Sequence, residues 1–212
     1  MLLAAAKLFR TQGVSGTGLR EIVTRADAPR GSLQHYFPGG KDQLVTEALQ
    51  LAGDFAGRRV AHLLDRLDEP TPGALFAALA GEWRDLYLRE GFAEGCPLAA
   101  ATADTAGTSP ALRSAVNDAF GRWQRPLEDA LLRLGVPAAR SPRLASLMIV
   151  ALEGSLIVAR SREEVRVIDA VIDELRPVLD AAVTTRRPRR ARDGRPTAGP
   201  AGSARQKVRT TT

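Results

Sequence analysis

Residues 8–49 read LFRTQGVSGTGLREIVTRADAPRGSLQHYFPGGKDQLVTEAL, and this stretch decides the fold. Its apolar side chains recur three and four residues apart, as in an amphipathic helix, and no convincing period-two strand interrupts them. Gly13, the Asp27-Ala28 break and the Pro38-Gly39-Gly40 turn divide it. The divisions predict three short helices, at about 2–12, 18–26 and 29–37. Two helices joined by a tight break, with a third beside them, form a helix-turn-helix.

The third predicted helix has an outward face made of hydrogen-bonding groups. At about 100° per residue, Leu33 and Phe37 point together toward the core, and Gly31 lies near the centre of the opposite face. The other outward residues are Arg30, Ser32, Gln34, His35 and Tyr36. Such side chains suit base edges and phosphates, and a helical Gly, which costs about 1 kcal/mol relative to Ala, allows close backbone approach. A DNA-reading face and a merely solvated face both fit this pattern.

Charge is distributed unevenly along the 212 residues, whose net charge is +6. Residues 1–41 hold 6 basic and 2 acidic side chains, residues 42–183 hold 15 and 21, and residues 184–212 hold 9 and 1. A basic N-terminal segment beside an acidic middle is typical of a nucleic-acid face at one end. A neutral domain with a solvated tail explains the same charges.

The remainder of the chain also has helical periodicity, which predicts an all-α fold of about nine helices. The further predicted helices are about 41–67, 73–90, 97–104, 110–134, 142–160 and 163–183. Ser109 and Ser141 each precede a proline and are predicted N-caps. The expected domains are 1–46 (helix-turn-helix), 47–183 (helical) and 184–212 (a disordered basic tail). The tail either adds non-specific DNA affinity by counterion release or is a functionless extension.

Residues 8–49 resemble the DNA-binding domain of TetR-family transcriptional regulators. The family's usual run is an LF…G segment, a T-x-L-R-x-I helix, a K/R-G-S-L-Y-x-H-F helix and K-x-x-L. This chain matches it with Leu8-Phe9, Gly13, Thr17-Gly18-Leu19-Arg20-Glu21-Ile22, Arg30-Gly31-Ser32-Leu33, Phe37, Lys41 and Leu44. The Phe-Pro-Gly-Gly-Lys turn and Gly95-Cys96-Pro97-Leu98 resemble the LmrA/YxaF-type branch. The resemblance implies a repressor that dimerises on a palindromic operator and is released by a small molecule.

The resemblance also implies which residues contact DNA. They are Thr17, Gly18, Arg20, Arg30, Gly31, Ser32, Gln34, His35, Tyr36 and Lys41. Arg20 would reach a base or a phosphate, Thr17 and the amides after it would bind a phosphate, and Lys41 would hold the DNA backbone. Gly18 stands where Ser or Thr is usual, and Gln34 stands where Tyr is common. Met1 stands where the family has an Ile inside helix one, so either the true start lies upstream or a basic arm is lacking.

In such regulators the last two helices form the dimer interface and the middle helices enclose a ligand pocket. The expected interface residues are Leu152, Ser155, Leu156, Ala159, Val167, Val171 and Leu175. The expected pocket residues are Trp83, Leu86, Phe92, Cys96, Trp123, Leu127 and Met148, which favour an apolar or aromatic effector. A monomeric bundle core is the less favoured alternative for the first set, and simple core filling is the alternative for the second.

Other function classes find little support in the sequence. There is no G-x-S-x-G, H-E-x-x-H, P-loop or dinucleotide glycine pattern, so an enzyme is not predicted, and an architectural DNA-binding role is the nearer alternative. No His, Cys and carboxylate set has metal-ligand spacing, which predicts no metal or cofactor. The single cysteine, Cys96, fits a reducing cytoplasm. No apolar run of about 20 residues is evident, so no membrane partner is expected.

Overall fold

The computed structural model describes residues 1–29 and 31–183. Arg30 and the predicted tail at 184–212 lie outside the described residues. Within that range the chain forms nine α-helices and no strand, which confirms the all-α prediction. The helices are α1 (Leu2–Gln12), α2 (Leu19–Arg25), α3 (Ser32–Tyr36), α4 (Gly40–Leu64), α5 (Pro72–Glu90), α6 (Pro97–Thr105), α7 (Pro110–Arg133), α8 (Ser141–Arg162) and α9 (Arg166–Asp180).

The first of two hydrophobic cores lies beneath α1, α2, α3 and the first half of α4. Phe9, Ile22 and Leu44 are fully buried in it, and Phe37 closes it just after α3. Apolar side chains of α6 and α7 complete the same core. The helix-turn-helix therefore packs directly on helices of the C-terminal half.

The third helix begins later than the sequence predicts, at Ser32 and not at Pro29. Asp27 takes a left-handed conformation, with φ of 47°. The amide and the hydroxyl of Ser32 both donate to the Pro29 carbonyl, at 3.0 and 2.5 Å, and close a turn ahead of the helix. Gly31 is consequently the N-cap, with φ of −74°, so the predicted cost of a glycine inside a helix does not apply. Added at Gly31, a Cβ would meet no atom within 4 Å, so this position is open on its outer side.

α4 joins the two cores and packs closely against α7. A Cβ added at Gly53 would lie 2.4 Å from the Ala119 carbonyl oxygen, and one at Gly57 would lie 2.8 Å from that of Arg122. Arg122 also pairs with Asp54 at 2.9 Å. Because both glycines let the helix backbones meet, α4 and α7 are held at short range along much of their length.

The second core is formed by the second half of α4 with α5, α7, α8 and α9. Phe76, Leu131 and Leu156 are among its most deeply buried side chains. Arg84 of α5 donates to Asp169 of α9 at 2.6 Å, at the edge of this core. The long helices thus form a bundle whose interior is separate from the first core.

One of the two predicted serine caps is present. The Ser109 hydroxyl accepts a hydrogen bond from the Leu112 amide at 3.2 Å, which confirms it as the N-cap of α7. The prediction for Ser141 is wrong, because Ser141 is the first residue inside α8 and is buried. Its hydroxyl donates to the Glu128 carbonyl at 2.7 Å, so it joins α8 to α7 and does not cap its own helix.

α8 is long and apolar enough to cross a membrane, contrary to the expectation from sequence. This finding rests on length and composition alone, and half of the apolar stretch is buried inside the protein. A core helix of a bundle passes the same test, and an acidic residue, Glu153, lies in the middle of α8. The presence of this helix is therefore only weak evidence that the chain spans a membrane.

Candidate nucleic-acid interface and interior site

The helix-turn-helix exposes polar side chains on α2 and α3. Gln34, His35 and Tyr36 are exposed, and Tyr36 keeps 62% of its surface. The His35 and Tyr36 rings meet edge to face with centroids 4.9 Å apart. Arg20 is exposed on α2, beside a groove of about 400 Å³ between α2 and α3. These two helices therefore offer a guanidinium, an amide, an imidazole and a phenol to a partner.

Four other residues predicted to contact DNA differ in their exposure, and two of them use their hydroxyl groups for hydrogen bonds within the protein. Thr17 is buried and its hydroxyl donates to the Gly13 carbonyl at 2.5 Å, so the predicted phosphate contact by this hydroxyl is corrected. Gly18 is the exposed N-cap of α2. Ser32 donates its hydroxyl to the preceding turn but keeps its oxygen lone pairs, and Lys41 lies partly exposed in the first turn of α4.

The α8 residues predicted for the dimer interface face inward. Leu152, Ser155, Leu156 and Ala159 are each at most 3% exposed in the single chain. Three of them belong to the second core, and the Ser155 hydroxyl donates to the backbone of its own helix at 2.7 Å. These side chains pack within one chain, so the structure does not present them on the surface of α8, and their place in a dimer interface stays a prediction.

A different stripe of α8 carries exposed apolar side chains. Leu147, Val150 and Ile157 are 40%, 68% and 60% exposed, and exposed Gly154 lies between them. The spacing of three and four residues places all four on one face of the helix. On α9, the predicted Val167, Val171 and Leu175 are partly exposed, and Val178 is 50% exposed.

Most residues predicted for the ligand pocket are gathered in the interior. Trp123, Leu127 and Met148 are buried in the second core, and Trp83 and Phe92 pack against it. Cys96 is partly buried at the first core. Leu86 is partly exposed and is not among the core residues. These residues therefore lie mostly in an aromatic part of the interior, and their role in ligand binding stays a prediction.

Three buried side chains in the same interior carry polar atoms that lack a full set of hydrogen-bonding partners. The Tyr87 hydroxyl and the Trp123 indole N–H are covered and form no hydrogen bond with any group in residues 1–29 or 31–183, and the covered carboxylate of Glu153 has only the Cys96 thiol as a hydrogen-bonding neighbour there. Glu153 is 9% exposed and Tyr87 is 2% exposed. Buried polar groups are normally satisfied, so a cluster of such exceptions calls for a functional explanation.

Burial changes the acid–base properties of these groups. Desolvation raises the pKa of Glu153 from 4.5 to about 7, and a hydrogen bond from the Cys96 thiol offsets this rise only in part. Desolvation, with a further contribution from Glu153, raises the pKa of the Cys96 thiol well above 9.0. Desolvation also raises the pKa of Tyr87 to about 12, against the lowering effect of the Arg160 cation. Near neutral pH, Tyr87 and Cys96 remain protonated while Glu153 is poised between its two states.

Glu153 and Tyr87 were not among the residues predicted for the pocket. A signal for Glu153 is present in the sequence, because it is the only acidic residue in the 22 residues of α8. A lone carboxylate in an otherwise apolar helix must either reach solvent or be buried for a reason. For Tyr87, only the scarcity of tyrosine, with 2 in the chain, distinguishes it from ordinary core residues.

The segment between α5 and α6 contacts both halves of the molecule. Arg10 of α1 pairs with Glu94 at 2.9 Å, and its carbonyl accepts a hydrogen bond from the Gly95 amide at 2.8 Å. From the other side, Arg160 of α8 donates to the Phe92 carbonyl at 3.1 Å. This segment therefore links α1, which supports the helix-turn-helix, to α8, which carries Glu153.

Comparison with known families divides the chain into two matched regions. Residues 1–48 match the family described as bacterial regulatory proteins, tetR family. Residues 72–174 match the C-terminal domain described as transcriptional regulator LmrA/YxaF-like. Both matches agree with the resemblance found in the sequence.

Relatives and solved structures extend the comparison to most of the chain. An uncharacterized HTH-type transcriptional regulator of Mycobacterium tuberculosis is 33% identical over 191 residues, covering 88% of this chain and 95% of the relative. The HTH-type transcriptional regulator LmrA of Bacillus subtilis is 30% identical over 159 residues, covering 75% and 84%. A TetR transcriptional regulator from Legionella pneumophila shares the fold with a TM-score of 0.71 and 17% identity, covering 84% of this chain and 94% of its own. The protein therefore belongs to the TetR family of bacterial transcriptional regulators and is not an enzyme.

Proposed function

We propose that this protein is a ligand-responsive repressor that binds a palindromic operator as a homodimer and leaves it when a small molecule binds the C-terminal domain. The observation that carries the proposal is the exposed face of α2 and α3, where hydrogen-bonding groups occur and α3 has no acid. Recognition helices of this motif read base edges in the major groove. We expect the protein to act in the cytoplasm and to need no metal or cofactor.

The exposed side chains suggest which residues contact bases and which contact phosphates. Gln34 can make two hydrogen bonds to adenine, and Arg20 can reach a base or a phosphate. His35, Tyr36 and Lys41 suit phosphate oxygens, which fix the position of the helix without reading sequence. The remaining proposed contacts are Gly18, Arg30, Gly31 and Ser32.

The exposed stripe of α8 supports a dimer formed through α8 and α9. Leu147, Val150 and Ile157 lie in water in the single chain, and apolar stripes of this kind are typical of association surfaces. Gly154 lies in the stripe, and a Cβ there would meet nothing within 4 Å, so a second helix can approach closely. A two-fold axis through this surface would present two recognition helices to successive major grooves, about 34–36 Å apart.

The segment between α5 and α6 is the proposed route from the effector to DNA. An effector that binds the state unable to hold DNA shifts the population toward that state. The interior polar groups lie on one side of this segment, and Arg10 holds its other side to α1. A movement of the segment would therefore change the support of the helix-turn-helix, in addition to any movement of α4.

A gel mobility shift with DNA from the protein's own promoter and neighbouring intergenic regions tests this proposal. We expect sequence-specific binding, loss of most of it in Arg20→Ala, and little change in Arg66→Ala, a matched removal of an exposed arginine in the turn after α4. Equal binding by both variants would contradict the assigned face, and absence of specific binding at all these sites would contradict the repressor.

A further inference from the structure

The interior polar cluster consists of Glu153, Tyr87 and Trp123, whose donors and acceptors are not fully paired by the described residues. Glu153 supplies acceptors when ionised, the Trp123 indole supplies only a donor, and the Tyr87 hydroxyl supplies both. Within the described ranges the Cys96 thiol is the one hydrogen-bonding neighbour of Glu153, and the Tyr87 hydroxyl and Trp123 N–H have none, although all lie deep in the protein. In addition, no ion pair in the described residues involves Glu153, so its charge has no counterion there.

Aromatic rings border the same groups. The Tyr87 ring lies with its centroid 5.0 Å from that of Phe92 and 6.1 Å from that of Trp83. Trp123 stacks with Phe120 at 6.4 Å. The electron-rich faces of such rings attract organic cations, most strongly where water is excluded. Rings and a carboxylate together form the chemistry that recognises a cation carrying an apolar body.

One cation already lies on these rings, because the Arg10 guanidinium is 5.0 Å from the Trp83 ring centroid, but no charged group of the described residues pairs with Glu153. Arg160, on α8, lowers the pKa of Tyr87 by its charge but directs its guanidinium to the carbonyls of Phe92 and Ala93. Arg10, on α1, is paired with Glu94. On the α6 side the titratable group facing Glu153 is the Cys96 thiol, which stays neutral. The carboxylate therefore has a thiol but no cation of the described residues beside it, which leaves room for a cation from outside the chain.

We propose that Glu153 and Tyr87 form the polar anchor of the effector site and that the effector is an aromatic organic cation, such as a protonated arylalkylamine. This inference rests on the proposed ligand-responsive function and adds the chemical class of its ligand. The ammonium group donates to the Glu153 carboxylate and to the Tyr87 oxygen, while the aromatic body packs among Trp83, Phe92 and Trp123. The Trp123 N–H is available for an acceptor on the ligand.

The structure also indicates where the site opens. The polar atoms are covered, and the part of the cover that is not helical is the segment between α5 and α6, with Phe92 against Tyr87 and Cys96 next to Glu153. Arg160 and Arg10 fasten this segment from its two sides. An entering effector displaces the segment, so filling the site and loosening α1 occur together.

Isothermal titration calorimetry on the full chain, with three matched probes, tests the ligand class. The probes are naphthylethylamine, naphthylethanol and naphthylacetate, which share the aromatic body and differ in charge. We expect the amine to bind about tenfold or more tightly than the alcohol, and the acetate to bind most weakly, because a charge-assisted hydrogen bond is made only by the amine. Glu153→Gln should remove the preference for the amine over the alcohol.

A second readout separates an anchoring role from a structural one. At pH near 7, a bound ammonium ionises the fraction of Glu153 that is still protonated, so binding of the amine should release a measurable fraction of a proton. Repeating the titration in buffers of different ionisation enthalpy measures that proton. Glu153→Gln should release none, and Glu69→Gln, an exposed control, should behave as the wild type.

Clear outcomes overturn the inference. No binding of the amine at about 1 mM, equal binding of amine and alcohol, or an amine preference that survives Glu153→Gln would each do so. Operator DNA binding is measured in parallel without probe. If wild type and Glu153→Gln both bind DNA while the amine does not bind, the inference fails and DNA recognition stands. If the amine binds through Glu153 but DNA is never bound, the site stands and the repressor proposal fails.

Discussion

Glu153→Gln is expected to stabilise the folded protein at alkaline pH relative to acid pH. Burial raises the pKa of this carboxyl from 4.5 to about 7, so folding costs the ionised form free energy. At about 1.4 kcal/mol for each tenfold change in proton affinity, the cost above pH 7 is about 3 kcal/mol. A neutral glutamine of similar size does not carry this cost.

The sign follows from proton binding in the two states. Below pH 4.5 the carboxyl is protonated both folded and unfolded, so the wild type loses nothing. Between 4.5 and about 7 the unfolded chain has lost the proton while the folded chain retains it, and wild-type stability falls as pH rises. Above that window the loss is complete. The free-energy difference between variant and wild type should therefore grow by about 3 kcal/mol from about pH 4 to about pH 8.

Urea unfolding followed by circular dichroism, at one protein concentration and several pH values, measures this difference. Any constant effect of the new amide cancels when two pH values are compared, and Cys96 and Tyr87 do not titrate in this range. Glu69→Gln is the matched control, because its exposed carboxyl should give a difference that changes little with pH. A Glu153→Gln difference that is flat with pH, or that falls as pH rises, would refute the argument that this carboxyl is buried without a cationic partner.

Four further substitutions test other parts of the account. Gln34→Ala should lose about 1–3 kcal/mol at one base position of the operator and relax selection there, as measured on single-base operator variants. Lys41→Ala should weaken all sequences about equally and lower the salt slope by about one; selective loss at one base would contradict its phosphate role. Arg10→Ala should bind the operator yet respond less to effector in anisotropy assays; an unchanged response would exclude this link. Ile157→Glu should dissociate the dimer in analytical ultracentrifugation, and an intact dimer would place the interface elsewhere.

The sequence predicts the helices best where apolar periodicity and chain breaks agree. α1 was predicted at its observed bounds, since its periodic stretch ends at Gly13, which takes φ of 76°. The start of α3 was predicted three residues early, because Pro29 is a common first helical residue. The left-handed turn at Asp27 and the bonds from Ser32 to Pro29, which decide the start, depend on local geometry that periodicity does not contain.

The sequence does not show which face of α8 is buried in the protein and which face is exposed to solvent. The helix is apolar on nearly every side, so residue types alone do not say whether Leu152 or Val150 faces the core. Packing against α5, α7 and α9 decides it and places Leu152 inside and Val150 in water. The sequence shows that Glu153 is an acidic residue in an apolar helix. Its lack of a cationic partner becomes visible only when the neighbouring helices are in place.

Selection of bound sequences from a random DNA pool tests the central claim most directly. The account predicts an inverted repeat whose half-sites are centred about one helical turn apart, with an adenine-containing position that loses its preference in Gln34→Ala. The pool selected by Arg66→Ala should match that of the wild type. Failure to enrich any sequence, or enrichment of the same sequence with the same strength by Arg20→Ala, would contradict DNA reading by this face.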